Sequence, residues 1–394
     1  MAKIFKPKRQ PEYVIRQINE KIRKSQRTLP AKRLDLVVEG IWEPCDGYGA
    51  STINILLGLN EICRVGFVPR WKGPNADTLS HSLISKLIAE QFRCDNFLTY
   101  LSAASDVTKG CPKGINSTRV LLTMFETDHP PLDWYDRIHN KFHRLLVPCY
   151  YNKDILLAHN YHIPISVVPL GIRTDIYKPF QRKYPVDRPF RFLTSFANHA
   201  LLDDRKNCLT ILEAFTKRFG HNNNYELCLK VSGEIPKHLS NYLPPNIRII
   251  DGKISYEALN DIYINTDCCI SASRGEGYDM VTREAMATSM PTIFPNFAAL
   301  ADLADEDACY PLNDYKLVPA LYGSNEAMRH NSGNKLFGRW AEVNEAELIY
   351  TMELVANNYE IATLKGQRAA EYIHTNESYL EAARKIAKIF KIIN

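Results

Sequence analysis

The stretch SRGEGYDMVTREAMATSMPTIF, residues 273–294, decides the predicted fold of this chain. The preceding run DCCISAS is typical of a buried strand, and a helical pattern begins near Met280 or Val281. Glu276 then lies in a loop between two glycines, and Glu284 lies about one turn into the helix. Backbone N–H groups at a helix start bind anions, and a carboxylate can accept two hydrogen bonds from a vicinal diol. The pattern therefore suits a ligand with sugar on both sides of a diphosphate, which is the chemistry of a nucleotide sugar.

Strand, turn and helix patterns alternate along the rest of the chain. LDLVVEGIW, EPCDGYGAS, TINILLGLN and ICRVGFV are typical in turn of a strand, a glycine turn, a helix and a strand, and a second series starts at FRFLTSF. The segment KPFQRKYPVDRP, rich in proline and charge, separates the two series. Such alternation predicts an α/β fold with two Rossmann-like, doubly wound domains, at residues 34–175 and 176–365, facing across a ligand-binding cleft. Residues 366–394 are predicted to form C-terminal helices that pack back on the body.

The positive charge of the chain is concentrated at its N-terminus. The net charge is +5, but residues 1–33 carry eleven Lys or Arg and two Glu, a net of +9, so the remainder sums to −4. Val14, Ile18 and Ile22 form one apolar stripe on this basic, amphipathic arm. Three readings stay open, because the arm could dock on the body, lie on a membrane surface or contact nucleic acid.

The remaining composition predicts an ordinary cytoplasmic protein, which the arm could also hold at a membrane surface. No apolar run approaches the roughly 18 residues of a membrane-spanning helix, and no apolar segment typical of a signal peptide follows the basic start. The ten cysteines form no CxxC pair, and neither Cys nor His shows the spacing of a zinc site. We expect buried thiols in a reducing compartment and no bound metal.

Five segments, in order, resemble the retaining GT-B glycosyltransferases of family 4. They are MFETDHPPLDWYDRIHNKF, VPCYYNKDILLAH with ISVVPLGIRTDIYKP, FLTSFANHALLDDRKNCLTILEAF, ISYEALNDIYINTDCCISAS, and the E-x7-E segment around Glu276 and Glu284. The resemblance covers roughly residues 34–390. It implies that the first domain holds the acceptor and the second holds a nucleotide-diphosphate sugar.

The resemblance also implies roles for individual residues. Arg205 and Lys206 would neutralise the departing diphosphate. Glu276 and, from the opposite domain, His129 would lie near the transferred sugar, and Glu284 would hold the ribose. The other expected contacts to the donor come from Gly277, Tyr278, Asp279, Met280, Gly47, Tyr48 and Gly49, with Glu126 and Asp128 on the acceptor side.

The implied mechanism is front-face transfer without metal or cofactor, in which the leaving phosphate takes the acceptor proton and the protein supplies positioning and charge. Two departures from the family pattern matter. Asp279 stands where the family often has glycine, and the usual glycine–arginine pair on the first donor-domain strand is missing.

Several alternatives remain from sequence. The acceptor could be a glycan, a lipid-linked sugar or a modified base in phage-type DNA, which would have to be exposed to the cleft. Asp279 and the missing pair also leave room for a non-catalytic protein that binds a sugar nucleotide or scaffolds a complex, and an epimerase on the same fold is a third class.

Overall fold

Two parallel six-stranded sheets form the framework of the protein in this computed structural model. The structure describes residues 32–89, 92–101, 117–131, 134–197, 204–232, 243–320 and 338–394. Residues 1–31, nearly the whole predicted arm, lie outside the described residues. The predictions of membrane or nucleic-acid contact made for the arm therefore stay predictions.

The first sheet has the strand order β3-β2-β5-β6-β7-β8, and the second has the order β11-β10-β9-β12-β13-β14. All pairings within the two sheets are parallel. The strands are β1 (Lys32–Arg33), β2 (Leu36–Trp42), β3 (Val65–Lys72), β4 (Phe92–Arg93), β5 (Asn96–Tyr100), β6 (Thr118–Leu122), β7 (Arg144–Val147), β8 (Ile165–Val167), β9 (Phe190–Ala197), β10 (Tyr225–Ser232), β11 (Ile247–Asp251), β12 (Cys268–Ile270), β13 (Thr292–Pro295), β14 (Tyr310–Leu312), β15 (Tyr315–Pro319) and β16 (Arg339–Val343).

Helices connect the parallel strands, as crossover connections require. They are α1 (Gly47–Asn60), α2 (Ala76–Leu79), α3 (Ser82–Leu87), α4 (Trp134–His139), α5 (Tyr150–Ala158), α6 (Cys208–Phe219), α7 (Tyr256–Ile264), α8 (Met280–Ala287), α9 (Glu345–Asn357), α10 (Tyr359–Asn376) and α11 (Tyr379–Ile389), with 3₁₀ turns at Asp204–Lys206 and Ala298–Leu303. Central strands such as β2 are buried along most of their length, which explains why they appear in the sequence as continuous apolar runs. The predicted α/β fold with two doubly wound sheets is confirmed.

The glycine turn predicted before α1 is instead the first turn of the helix. α1 begins at Gly47, and the Asp46 carboxylate caps it by accepting from the backbone N–H groups of Tyr48 and Gly49. A Cβ on Gly49 would lie 2.0 Å from the Glu43 carbonyl oxygen, whereas nothing lies within 4 Å of a Cβ on Gly47. Gly49 is thus required for close packing of the helix on the end of β2.

The last helices tie the two domains together. α10 runs across the predicted boundary between residues 365 and 366, and α11 packs on α1, where the Tyr379 carbonyl closely approaches Gly58. The chain therefore passes between the domains twice. The two passages meet where the Ile172 N–H donates to the Glu377 carbonyl at 2.8 Å and the Tyr379 N–H donates to the Ile172 carbonyl at 2.9 Å.

Candidate active site

The loop between β12 and α8 lies directly against the first domain. A Cβ on Gly277 would come within 2.7 Å of the Met124 side chain, which follows β6. The loop ends at Asp279, whose backbone has a φ of 59°, and its carboxylate accepts from the Thr282 hydroxyl at 2.7 Å. α8 then starts at Met280, as the sequence predicted.

Glu276 is a buried carboxylate held by two cations. Its oxygens lie 2.5 Å from Lys206 Nζ and 3.1 Å from Arg205 Nη1. Although burial opposes ionisation, Lys206 and Arg205 lower the pKa of Glu276 to about 2. Arg205 and Lys206 belong to the 3₁₀ turn Asp204–Lys206, just before α6, and from there both cations reach the loop of the E-x7-E segment.

Glu284 lies on α8, about one turn after the start of the helix, and its environment contrasts with that of Glu276. Its carboxylate accepts from the Tyr263 hydroxyl at 2.8 Å, but no cation is paired with it among the described residues. Burial raises the pKa of Glu284 to about 7, and the charge of Asp279 adds to the rise, whereas the hydrogen bond from Tyr263 and the nearby Tyr177 hydroxyl oppose it. Glu284 is only 5% exposed, so it is not simply a solvated glutamate on the surface of a helix.

A cavity of about 160 Å³ separates the two domains beside Glu284. The first domain contributes the start of α1, including Gly47, and the second contributes the ends of β10 and β11 and the start of α8. Its lining is Pro44, Cys45, Asp46, Gly47, Ala50, Leu79, Ser195, Lys230, Lys253, Ile254, Ser255, Tyr256, Leu259, Met280, Val281 and Glu284. A smaller recess adjoins it at Ser195 and Val281 and includes Lys206, Asp279 and Thr282.

Many of the predicted donor residues meet here. Glu284, Met280 and Gly47 line the cavity, and Lys206 and Asp279 line the recess. Arg205 and Glu276 flank the recess through their ion pairs with each other and with Lys206. The roles assigned to these residues are not tested by their positions and stay predictions.

Other predicted residues serve contacts elsewhere. Tyr278 donates to Glu377 at 2.8 Å and faces the C-terminal helices, and Tyr48 packs on Tyr100 with ring centroids 5.3 Å apart. Gly277 and Gly49 are closely packed, and none of Tyr48, Gly49, Gly277 and Tyr278 is among the described residues that line the cavity or the recess. The donor contacts predicted for the Gly47–Gly49 loop and for the backbone at Gly277 and Tyr278 stay predictions.

The acceptor-side residues lie at the edge of the domain contact. Asp128 accepts from the Arg339 backbone N–H at 2.7 Å and from Arg339 Nε at 2.8 Å, which joins the first domain to β16. His129 is exposed, and its ring packs on His159 with centroids 4.5 Å apart. Neither His129 nor Glu126 is among the described residues that line the cavity or the recess.

The structure adds residues that the sequence analysis missed. Lys230 is buried on β10 and donates to the Gly252 carbonyl at 2.7 Å, and Lys253 lies beside it at the cavity. A lysine inside the apolar run LCLKVS was the available signal. Tyr177 and Tyr263, which surround Glu284, gave no such signal because buried tyrosines are common in cores.

Among the residues that the structure describes, no group of three or more His, Cys, Asp or Glu is placed to hold a metal ion. None of the helices in the described ranges is long and apolar enough to cross a membrane.

Comparisons with known proteins agree with this geometry. Residues 195–319, which include Lys206 and the E-x7-E segment, match the family described as Glycosyl transferases group 1. No curated protein matches the sequence. The structure is similar to HepE from Anabaena (TM-score 0.64, 10% identity, 91% of this chain and 100% of that one) and to sucrose-phosphate synthase from Thermosynechococcus elongatus (0.63, 12%, 92% and 98%).

A third solved structure is larger than this chain. TarM matches with a TM-score of 0.53 and 13% identity over 75% of this chain, which spans about half, 54%, of TarM. Identities this low establish the fold, which is GT-B, and the family match establishes the class of the second domain. The chain therefore has the GT-B fold, and its second domain carries a region that matches the family described as Glycosyl transferases group 1.

Proposed function

We propose that the protein transfers a sugar, with retention of configuration and without metal, from a nucleotide-diphosphate sugar to a glycan, a lipid-linked sugar or another hydroxyl acceptor. The observation that carries the proposal is the placement of Lys206 and Glu284 in adjoining spaces along one side of α8. A cation in the recess suits the diphosphate, and a carboxylate in the adjoining cavity suits the ribose diol. The nucleoside would occupy the cavity between the domains, and the diphosphate would occupy the recess.

The proposed chemistry uses charge and position. The bond between the anomeric carbon and the phosphate oxygen breaks while the acceptor oxygen bonds to the same face of the sugar. The acceptor proton passes to the leaving phosphate, so the protein needs neither a covalent nucleophile nor a separate base. Lys206 and Arg205 would stabilise the negative charge that develops on the phosphate in the transition state, and stabilisation of that charge lowers the barrier directly.

The donor of first choice is a UDP-sugar. HepE was solved with UDP and glucose, and TarM from S. aureus with UDP and alpha-GlcNAc-glycerol. Lys230 and Lys253, which also line the cavity, offer hydrogen-bond donors to the carbonyl oxygens of a base.

Thermal shift with UDP-, GDP-, ADP-, CMP- and dTDP-sugars tests the donor site. A ligand of the folded state raises the unfolding midpoint with the logarithm of its saturation. We expect one of the donors to raise the midpoint. Lys206→Met should raise the Kd of that donor by about 10- to 100-fold, which corresponds to the loss of one charge-assisted hydrogen bond. Lys217→Met is the matched control, because Lys217 is 68% exposed on α6.

Product analysis tests the reaction. NMR of the glycoside formed from an α-linked donor should show an α linkage, and EDTA should leave the rate unchanged. Absence of any shift across the donor panel, or an inverted product, would overturn the proposal.

A further inference from the structure

Three tyrosines surround the Glu284 carboxylate, and they come from two different parts of the chain. Tyr263 and Tyr256 belong to α7, whereas Tyr177 belongs to the segment that leads from the first domain to the second. The Tyr263 hydroxyl donates to Glu284 Oε2 at 2.8 Å, and the Tyr177 ring meets the Tyr263 ring edge-on with centroids 5.6 Å apart.

The Tyr177 hydroxyl lies near enough to the same carboxylate to lower its pKa. Tyr177 is fully buried, and its hydroxyl makes no hydrogen bond of ordinary length and angle with any described residue. An unmet buried hydroxyl costs about 1–3 kcal/mol, so it favours any state in which the carboxylate moves towards it or carries a full charge. The Tyr256 hydroxyl is also unpartnered among the described residues, but it lies on the cavity side.

The electrostatic surroundings of Glu284 otherwise favour its neutral form. Burial and the Asp279 carboxylate both raise its pKa, whereas the hydrogen bond from Tyr263 and the nearby Tyr177 hydroxyl lower it. Cys269 on β12 also faces Glu284, but its thiol is buried with a raised pKa and carries no charge near neutral pH. The two lysines of the cavity, Lys230 and Lys253, lie towards the ends of β10 and β11.

We propose that Tyr263 and Tyr177 are positioning residues that hold the Glu284 carboxylate and favour its charged form, so that it accepts both hydroxyls of a ribose diol. The inference rests on the proposed function, because it assigns the ribose of the donor to this carboxylate. An ionised carboxylate can accept from both hydroxyls and from both tyrosines at once, whereas a protonated one gives up one acceptor position. Donor affinity should therefore rise with pH as Glu284 loses its proton.

The position of Tyr177 gives this arrangement a second consequence. Arg173, four residues earlier in the same segment, contacts the Tyr256 and Tyr379 rings at 5.6 and 5.8 Å. The segment that connects the domains thus touches the proposed ribose site on one side and the start of α11 on the other.

The test measures donor affinity by calorimetry between pH 5.5 and 8.5, with UDP-glucose, GDP-mannose and ADP-glucose in parallel. The diphosphate of these probes stays ionised throughout this range. In the parent, Kd should fall about tenfold per pH unit below a midpoint near the Glu284 pKa of about 7. Tyr263→Phe should raise the midpoint by about one unit or more, since a hydrogen bond to a charge is worth that much, and Tyr177→Phe should raise it by less.

Tyr256→Phe is the matched control, because it removes a hydroxyl from the same helix and cavity without removing a hydrogen bond to Glu284. We expect it to leave the midpoint in place, whatever it does to affinity at each pH. Equal midpoints in the parent, Tyr263→Phe and Tyr177→Phe would overturn the inference. A parent that binds none of the probes would instead contradict the proposed function.

A ligand-free measurement tests the tyrosines independently of any donor. The folded pKa of Glu284 is raised above its usual value of 4.5, so the parent should lose stability relative to Glu284→Gln as the pH rises from 4.5 to about 7, and the difference should then level off. In the Tyr263→Phe background this loss should continue to a higher pH. The same levelling pH with and without the two hydroxyls would show that they do not act on the charge.

Discussion

Gly275 and Glu126 touch across the two domains, and the contact leaves no room for a side chain. A Cβ on Gly275 would lie 2.1 Å from the Glu126 carbonyl oxygen and 2.9 Å from the Trp340 ring. The loop that carries Glu276 is therefore fitted to the end of the first sheet as tightly as backbones allow. Cleft geometry depends on this glycine, although it contributes no group to the chemistry.

Gly275→Ala should consequently disrupt the contact between the domains. Overpacking costs about 1–3 kcal/mol where neighbours can move, and a backbone oxygen moves less easily than a side chain, so we expect about 3 kcal/mol of lost stability. Urea unfolding measures it. Gly47→Ala is the control, since nothing lies within 4 Å of its Cβ, and it should change stability by less than about 1 kcal/mol. Similar stability losses in both variants would contradict this account.

Glu276→Gln should change the acid stability of the protein. The pKa of Glu276 is held at about 2, below its usual 4.5, so its ion pairs stabilise the fold above pH 4.5 and are lost as the pH falls towards 2. The difference amounts to about 3 kcal/mol at neutral pH, from about 1.4 kcal/mol per pKa unit. Denaturation at pH 7 and pH 3 measures the free energy of unfolding, which should fall less between these pH values in the variant than in the parent. An unchanged profile, like that expected for Glu257→Gln on the exposed face of α7, would argue against a buried ion-paired Glu276.

Asp279→Asn should strengthen donor binding, and more so at high pH. The carboxylate lies in the recess proposed for the diphosphate, where a negative charge repels the ligand. Burial, with the nearby Glu276 charge, raises the pKa of Asp279, so its repulsion grows as the pH rises. Asparagine keeps the tolerance of a left-handed backbone at φ 59°. Calorimetry at pH 6 and pH 8 measures the effect, and Asp307→Asn, at an exposed surface carboxylate, is the control for net charge. Weaker binding in Asp279→Asn at both pH values would show that the carboxylate contacts the donor favourably.

Arg182→Met should be among the more damaging single changes outside the cleft. The buried guanidinium donates to the carbonyls of Tyr263, Thr266 and Thr288, at the ends of α7 and α8. Its loss leaves these carbonyls without their charged donor, and we expect at least about 3 kcal/mol of lost stability in urea unfolding. Arg64→Met removes an exposed pair with Asp35 and should lower the stability far less than Arg182→Met. Equal costs for the two arginines would contradict the capping role of Arg182.

The sequence was sufficient to predict the fold because its strands are buried on both faces. Apolar runs such as those of β2 and β10 can be identified as strands from local sequence, without knowledge of the neighbouring strands. Their alternation with helices predicts parallel sheets. The hairpin of β15 and β16 escaped prediction. Its strands are half exposed or shorter than a typical strand pattern, and they pair across residues 321–337, which lie outside the described part of the chain.

The residues of the site could be predicted only where they belong to recognisable sequence motifs. Glu276, Glu284 and Lys206 were named beforehand, and the structure brings them to one side of α8. The family resemblance assigned Gly49 to the donor, but its close contact with the Glu43 carbonyl could not be predicted, because that contact depends on how α1 meets the end of β2. Arg182 lies in the segment predicted as a linker, and nothing local reveals that its side chain turns inward to cap two helices.

The double passage of the chain between the domains limits how they can move. A single connecting segment would allow the two domains to bend, twist and slide relative to each other. Here two connecting segments are joined by backbone hydrogen bonds at Ile172, so they form one hinge. Twisting would break the hydrogen bonds between them, whereas swinging about their common line preserves both. Opening to exchange ligands should therefore follow one angular coordinate, and the backbone torsions of a few residues near Ile172 and Ser378 should account for most of it.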